Sequence, residues 1–261
     1  MKIILFQSFR CWIVVALLGC WVMAAPAQSL PLTITNAAEA KAEGEALVQE
    51  ILAQRPVENM SAKGRLIIRH SQGDKIEKAI QFETTLNAAG WATVYEAADG
   101  AKQERFVVRH VTGELPAYSL LNGQDEATNE TMQTGADLMK PFAGSDFWMV
   151  DLGLDFLNWP GQRLIRKEIC RTRSCRVLES TQPSPPSDGY AKVLTWVDRE
   201  SLGIVQAEAY DATGKKLKVF SPKVVKESGG QWQLQEMEMR NVQTGSRSKI
   251  EFDLSESKDK P

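Results

Sequence analysis

Residues 144–159, GSDFWMVDLGLDFLNW, limit the architectures open to this chain more than any other stretch. At the helical period the polar side chains Asp151, Asp155 and Asn158 fall at i, i+4 and i+7, a single narrow stripe. The rest is apolar: Phe147, Trp148, Met149, Val150, Leu152, Leu154, Phe156, Leu157 and Trp159. A surface helix keeps a much wider polar face. A helix over 147–159 must therefore be enclosed on most sides, with only the stripe in solvent. Ser145 or Asp146 is placed to cap its first turn. Pro160-Gly161 ends it, because proline neither donates to nor fits a helix interior. Two arrangements meet these demands: a core helix packed on a sheet, or a lid over an apolar cavity.

The flanking sequence reads as strands able to enclose such a helix. Asn36 with Glu39 opens a first helix that runs to Gln54, with Leu47, Val48, Ile51 and Leu52 on its apolar face. Apolar runs and alternation then predict strands over 63–69, 76–86, 90–97 and 105–110, separated by turn signals at Gly73, Gly90 and Gly100. Between Thr112 and Ala143 the pattern dissolves into Gly, Pro, Asn and Thr, with a short run at Tyr118-Ser119-Leu120-Leu121. Beyond the apolar helix, strands are predicted over 164–170, 175–180, 190–198, 203–211, 215–220, 231–241 and 248–254. Those at 164–170 and 175–180 form a hairpin about Arg171–Ser174, which places Arg166 opposite Glu179. The fold class expected is α+β: a strongly curved antiparallel half-barrel of ten to eleven strands. An N-terminal helix and an apolar lid helix would cover its concave face.

The ends of the chain are set apart. Lys2 and Arg10 precede an apolar run, and Ala25-Pro26-Ala27 supplies small residues for cleavage, so residues 1–27 read as a signal peptide and the mature chain as starting at Gln28. A competing reading takes Leu17-Leu18-Gly19-Cys20 as a lipobox, with Cys20 carrying a lipid anchor. Residues 28–254 form one domain, and 255–261 a polar tail with nothing to bury. Export to the periplasm makes the compartment oxidising, and Cys170 and Cys175 are expected to form a disulfide there.

Composition excludes several functions. The formal net charge of -2 and the lack of a basic cluster leave nucleic acid without a footprint. The two histidines, His70 and His110, each follow an arginine at a strand end, and no G-x-S-x-G or H-E-x-x-H accompanies them. Ser228-Gly229-Gly230 precedes a strand and reads as a turn rather than a phosphate loop. The expectation is a protein that is not an enzyme, with no metal and no cofactor.

Gly144-Ser145-Asp146-Phe147 with Asp151-Leu152 resembles the G-[ST]-D-F-x-x-x-D-L signature of the LolA-like outer-membrane lipoprotein-sorting family. Further matches are Trp196-Val197-Asp198, Ala207-Glu208 with Tyr210-Asp211, Gly214-Lys215 and Leu217-Lys218. The closing hairpin of the family is matched by Trp232, Met237, Met239, Asn241 and Thr244-Gly245. The resemblance spans most of the mature chain, and Trp148-Met149 and the Cys170/Cys175 pair are additions to its pattern. It implies a periplasmic half-barrel of about eleven strands whose apolar cavity holds the acyl chains of a lipoprotein or a related lipid.

A cavity of that kind needs aromatic and soft side chains and no reaction centre. The candidates are Trp91, Tyr95, Trp196, Trp232, Met237 and Met239 from the sheet, with Trp148, Phe156 and Trp159 from the lid. Methionine adapts readily to disordered chains, and each buried methylene contributes about 0.8 kcal/mol. The expected partners are lipoprotein acyl chains or lipid, with an envelope membrane protein beside them, and the expected state is a monomer. The alternative function is a periplasmic sensor or protein-interaction module on the same half-barrel.

Overall fold

The computed structural model describes residues 31–122, 130–228 and 231–253. The expected signal peptide, Cys20 and the tail at 255–261 lie outside the described residues.

The described residues form one antiparallel sheet of fourteen strands. They are β1 (Leu32–Thr33), β2 (Met60–Arg69), β3 (Lys75–Asn87), β4 (Gly90–Asp99), β5 (Lys102–Val111), β6 (Ala117–Asn122) and β7 (Glu130–Gln133). The second half supplies β8 (Gly161–Cys170), β9 (Arg173–Thr181), β10 (Lys192–Asp198), β11 (Ile204–Tyr210), β12 (Lys216–Ser228), β13 (Gln231–Asn241) and β14 (Arg247–Asp253). Eleven of these correspond to the strands read from the sequence. The additions are β1, β6 and β7, all short and near an edge. Their pattern is too brief to read alone, and pairing with β8 or β5 supplies the order.

Each half is a meander, and the halves join where the last strand, β14, pairs with β2. That topology places β7 at one edge of the open sheet and β8 beside the other, separated only by β1. The chain from Gln133 to Gly161 must therefore cross the whole width of the sheet. Its apolar side chains make it cross on the concave face, where they join Leu66, Ile68, Ile80, Phe106, Val108, Met239 and Ile250 in the main core.

The first helix, α1 (Ala37–Leu52), lies on the same face over β8 and β9. Asn36 caps it as expected, its Oδ1 accepting from the N–H of Ala38 at 2.9 Å and of Glu39 at 3.2 Å. Gly44 lets the helix approach closely, since a Cβ there would stand 2.5 Å from Cα of Arg163. Ion pairs Lys167–Glu43 (2.9 Å) and Arg176–Glu50 (2.8 Å) flank the contact.

The β8–β9 hairpin departs from its expected register. Its turn is only Arg171-Thr172, with φ of 48° and 68°, a two-residue turn matched to strand twist. Cys170 therefore faces Arg173, and Cys175 faces Glu168. Arg166 sits opposite Val177, and Glu179 pairs with Arg163 instead. The expected disulfide is absent: both cysteines are free thiols, diagonal to one another on the convex face. There they belong to a small second cluster with Val177, Leu194 and Trp196.

Candidate functional site

The crossing segment is not the continuous helix that its apolar pattern predicts. Lys140 to Met149 fold back as a tight loop, in which the Phe142 N–H donates to the Phe147 carbonyl at 2.8 Å. Ala143 and Gly144 at its tip have φ of 51° and 72°. Ser145 turns inward and donates to the Phe142 carbonyl at 2.7 Å, so it does not cap a helix. One helical turn, α2 (Met149–Leu152), follows and stops at Gly153. Leu154 then takes φ 50°, and Asp155–Asn158 forms a 3-10 turn. Gly153 explains the break: glycine is a poor helix interior residue, and the ring of Tyr118 fills the space where a Cβ would sit, 2.6 Å from Cε1.

The polar stripe is likewise turned inward rather than left to solvent. Asp151 Oδ2 accepts the Trp148 N–H at 2.8 Å and the Tyr190 hydroxyl at 3.2 Å. Burial raises the pKa of this carboxyl above the ordinary value, and that of the Tyr190 phenol too. Asp155 accepts from the Trp159 indole at 3.0 Å. Nearby, burial drives the Tyr118 phenol far above its ordinary pKa, with Asp155 adding to the rise.

Asp146 ties the segment to the sheet. Its carboxylate accepts from the hydroxyls of Ser246 (2.6 Å) and Ser248 (2.8 Å) on the β13–β14 side. Its N–H donates to Ser248 Oγ at 2.8 Å. Lys218 of β12, 2% exposed, donates from Nζ to the Asp146 carbonyl at 2.7 Å. The same ammonium lies 3.5 Å from the centroid of the Trp148 ring, which stacks on Tyr190 at 4.7 Å. Burial brings the Lys218 pKa down to about 7, against the pull of Asp151 and Asp146.

Between this polar cluster and the sheet lies a cavity of about 30 Å³. Asp151, Tyr190 and Lys218 form its polar end. Leu154, Phe156, Val193, Ile204, Ala207, Ala209, Phe220 and Met239 form the rest. That volume suits one or two water molecules and falls far below the roughly 300–1,000 Å³ of ordinary ligand pockets. A larger recess of about 520 Å³, between the β4–β5 turn and Ala143-Gly144, is lined by Lys78, Asp99, Lys102, Gln103 and Glu104. Those charges make it unsuited to apolar chains.

The candidate residues divide by face. Phe156, Trp159, Met237 and Met239 are buried in the main core, and Trp148 and Tyr95 pack against it. Tyr95 adjoins Phe82, and burial lifts its phenol pKa to about 12. Trp91 shares the face of Tyr95 but stands beyond the core, stacked on His110 at 4.3 Å with Arg55 over it. Burial lowers the His110 pKa. Trp196 is a correction. It points to the convex face, where its indole donates to Glu168 at 2.6 Å under Arg166. Alternation along β10 puts Val193 and Val197 on the concave face and Leu194 and Trp196 on the other. The side chain of Trp232 lies outside the described residues.

Asp146 was not legible as an anchor, nor Lys218, Tyr190, Ser246 and Ser248 as its partners. Lys218 stands between Leu217 and Val219, and strand alternation puts a lysine in that position on the outward face, so no local signal was available.

A family model described as "Uncharacterized protein" matches residues 126–260, just over half of the chain. The chain belongs to that family. No curated protein matches the chain in sequence. Among solved structures, a DUF1329 family protein from Desulfovibrio piger is similar over 85% of this chain and 95% of its own, with TM-score 0.68 and 14% identity. A domain assigned to outer membrane lipoprotein-sorting proteins, from Vibrio parahaemolyticus, gives the same coverage and TM-score at 19% identity. A LolA superfamily protein from Nitrosomonas europaea covers 84% of this chain and 94% of its own, with TM-score 0.53 and 15% identity. At these identities the likeness is one of fold: the chain's open curved sheet is similar to the fold of these three structures.

Proposed function

We propose that the protein is an exported, non-catalytic carrier that takes up acyl chains between the concave face of the sheet and residues 140–159. The observation that carries the reading is the nature of that cover. An irregular segment, not a long packed helix, shields the core side chains Met237, Met239, Val193 and Ala207. Residues with positive φ interrupt it at Ala143-Gly144 and at Leu154. For a non-glycine residue this conformation costs roughly 1–2 kcal/mol, so the segment is an uneven closure with bends on both sides of α2. The cavity of about 30 Å³ then belongs to a closed form. Acyl chains enter by displacing Phe156 and its neighbours from the sheet, exchanging one apolar contact for another. The likeness of fold to a lipoprotein-sorting domain supports the same reading.

The alternative, a periplasmic interaction module, draws on the open edge at β7, where unpaired strand groups can accept a partner strand. Native mass spectrometry of protein extracted from the envelope separates the two. Bound lipid, together with saturable uptake of a fluorescent fatty acid by stripped protein, is the carrier outcome. No uptake of any acylated probe, with a protein retained on the chain, overturns it.

A further inference from the structure

Lys218 is an expensive residue to place where it is. A buried ammonium needs an opposite charge or several acceptors, and Lys218 donates to the Asp146 carbonyl at 2.7 Å. What compensates it besides is the face of Trp148, the carboxylates of Asp151 and Asp146 and, more distantly, the Tyr190 ring at 5.6 Å. All but Tyr190 sit on the crossing segment, within residues 146–151.

Apart from the Trp148 N–H on Asp151, the groups that donate to the two carboxylates belong elsewhere. The Tyr190 hydroxyl donates to Asp151 from the loop before β10, and the Ser246 and Ser248 hydroxyls donate to Asp146 from the β14 end of the sheet. If the segment leaves, the sheet side keeps one ammonium and the hydroxyls of Tyr190, Ser246 and Ser248, of which Ser246 retains Thr244 as a partner at 2.7 Å and the other two lose the acceptor they donate to. They stand at one end of a hollow otherwise walled by Val193, Phe220 and Met239. A neutral acyl chain fills the apolar part of that hollow and leaves the ammonium uncompensated.

From this juxtaposition we infer that Asp146 and Asp151 stand in for the acidic headgroup of the ligand. The hollow takes an anionic amphiphile, its carboxylate or phosphate held by Lys218, Tyr190, Ser246 and Ser248 and its tail along the concave apolar face. The inference rests on the carrier reading and narrows its ligand class. The closed segment is then a pseudo-ligand that must be outcompeted, and a headgroup of the same charge is what does so. Charge-assisted hydrogen bonds are about twice as strong as neutral ones, so the acid should be preferred over its neutral ester by about tenfold or more.

The test is displacement of a fluorescent fatty acid from lipid-stripped protein by oleate, methyl oleate and oleoyl lysophosphatidic acid. All three share one tail and are used below their micelle-forming concentrations. The expected result for the wild type is tighter binding of the two acids than of the ester by about tenfold. The ratio between the two acids assigns the site to carboxylate or to phosphate. In Lys218→Met the acid-to-ester ratio should fall to about one, whatever its absolute affinities. Equal binding of acid and ester by the wild type overturns the inference and leaves the carrier reading standing. So does a ratio unchanged in Lys218→Met. Uptake of none of the probes overturns the carrier reading and this inference with it. Should Lys218→Met fail to fold, the wild-type ratio decides the matter alone.

Discussion

Lys218 on β12 donates to the backbone carbonyl of Asp146 at 2.7 Å, joining the sheet to the crossing segment over a sequence separation of 72 residues. The contact ends in a carbonyl that survives substitution, but the carboxylate of Asp146 beside it does not. Two serine hydroxyls and the charge of Lys218 depend on that carboxylate.

Asp146→Ala should therefore be costly although it removes no apolar contact. It strips two hydrogen bonds to a charged group and leaves Lys218 with less compensation. Hydrogen bonds of that kind are worth roughly 1.5–3 kcal/mol each when a buried partner is left unmade. Because Ser246 keeps Thr244 as a partner, the two do not add in full, and a loss of about 2–4 kcal/mol in urea unfolding is expected, with faster entry of a hydrophobic dye. A loss under about 0.5 kcal/mol would mean that the segment is held by its apolar side chains alone.

The same cluster predicts a pH dependence of stability. The Lys218 pKa in the fold is about 7, below the ordinary 10.5. Between those values the unfolded chain binds more protons, so stability must rise with pH, by up to about 1.4 kcal/mol per pH unit. Below 7 both states are protonated and the slope from this group vanishes. Asp151, whose carboxyl is raised by burial, acts with the opposite sign, losing stability as pH climbs above the ordinary carboxylate range. Unfolding free energies of wild type and Lys218→Met, compared from pH 6.5 to 9.5, isolate the lysine. Their difference should move in favour of the wild type as pH rises. A constant difference would mean that the Lys218 pKa in the fold stays near its ordinary value.

The strands were legible in the sequence because alternation survives wherever one face is buried, as along Ile76 to Leu86. The crossing segment was legible as a buried element but not as a shape. Its side chains give helical spacing, yet Gly153 is matched to the ring of Tyr118, a partner 35 residues earlier that no local pattern reveals. Asp151 read as solvent-facing for the same reason: spacing fixes which residues share a stripe, and only the partner, here Tyr190, fixes where it points. Trp196 was assigned to the wrong face because its strand is buried on both sides, which removes the alternation that would have oriented it.

The hairpin register bears on the cysteines. Diagonal neighbours across an antiparallel pair lie roughly 7–8 Å apart, at or beyond the reach of an unstrained disulfide, about 7 Å between Cα atoms. Burial also raises both thiols, that of Cys175 to about 11, which suppresses the thiolate that would react. Protein beginning at Gln28, purified without reductant and then denatured, should show two titratable thiols, and slow labelling when native. An absence of thiols after denaturation would place the cysteines in a bridge and, for a directly opposed pair, shift the hairpin by two residues.

Whether the crossing segment moves can be decided by tying it down. Asp146 and Ser248 meet through both the backbone N–H and the carboxylate of Asp146, each 2.8 Å from Ser248 Oγ. Cysteines at these two positions, with Cys170 and Cys175 replaced by serine to prevent exchange, put two sulfurs where those atoms now touch. Oxidation then fastens the segment to β14 beside the polar end of the cavity. Because the bond joins the cover to the sheet, it blocks displacement of Phe156 and its neighbours without altering any residue of the apolar wall. The oxidised protein should take up no fluorescent fatty acid, and reduction should restore uptake in the same sample. Comparing one protein in two redox states cancels whatever the loss of the Asp146 carboxylate does by itself. If the oxidised form binds as well as the reduced form, the acyl chains enter elsewhere and residues 140–159 are fixed core.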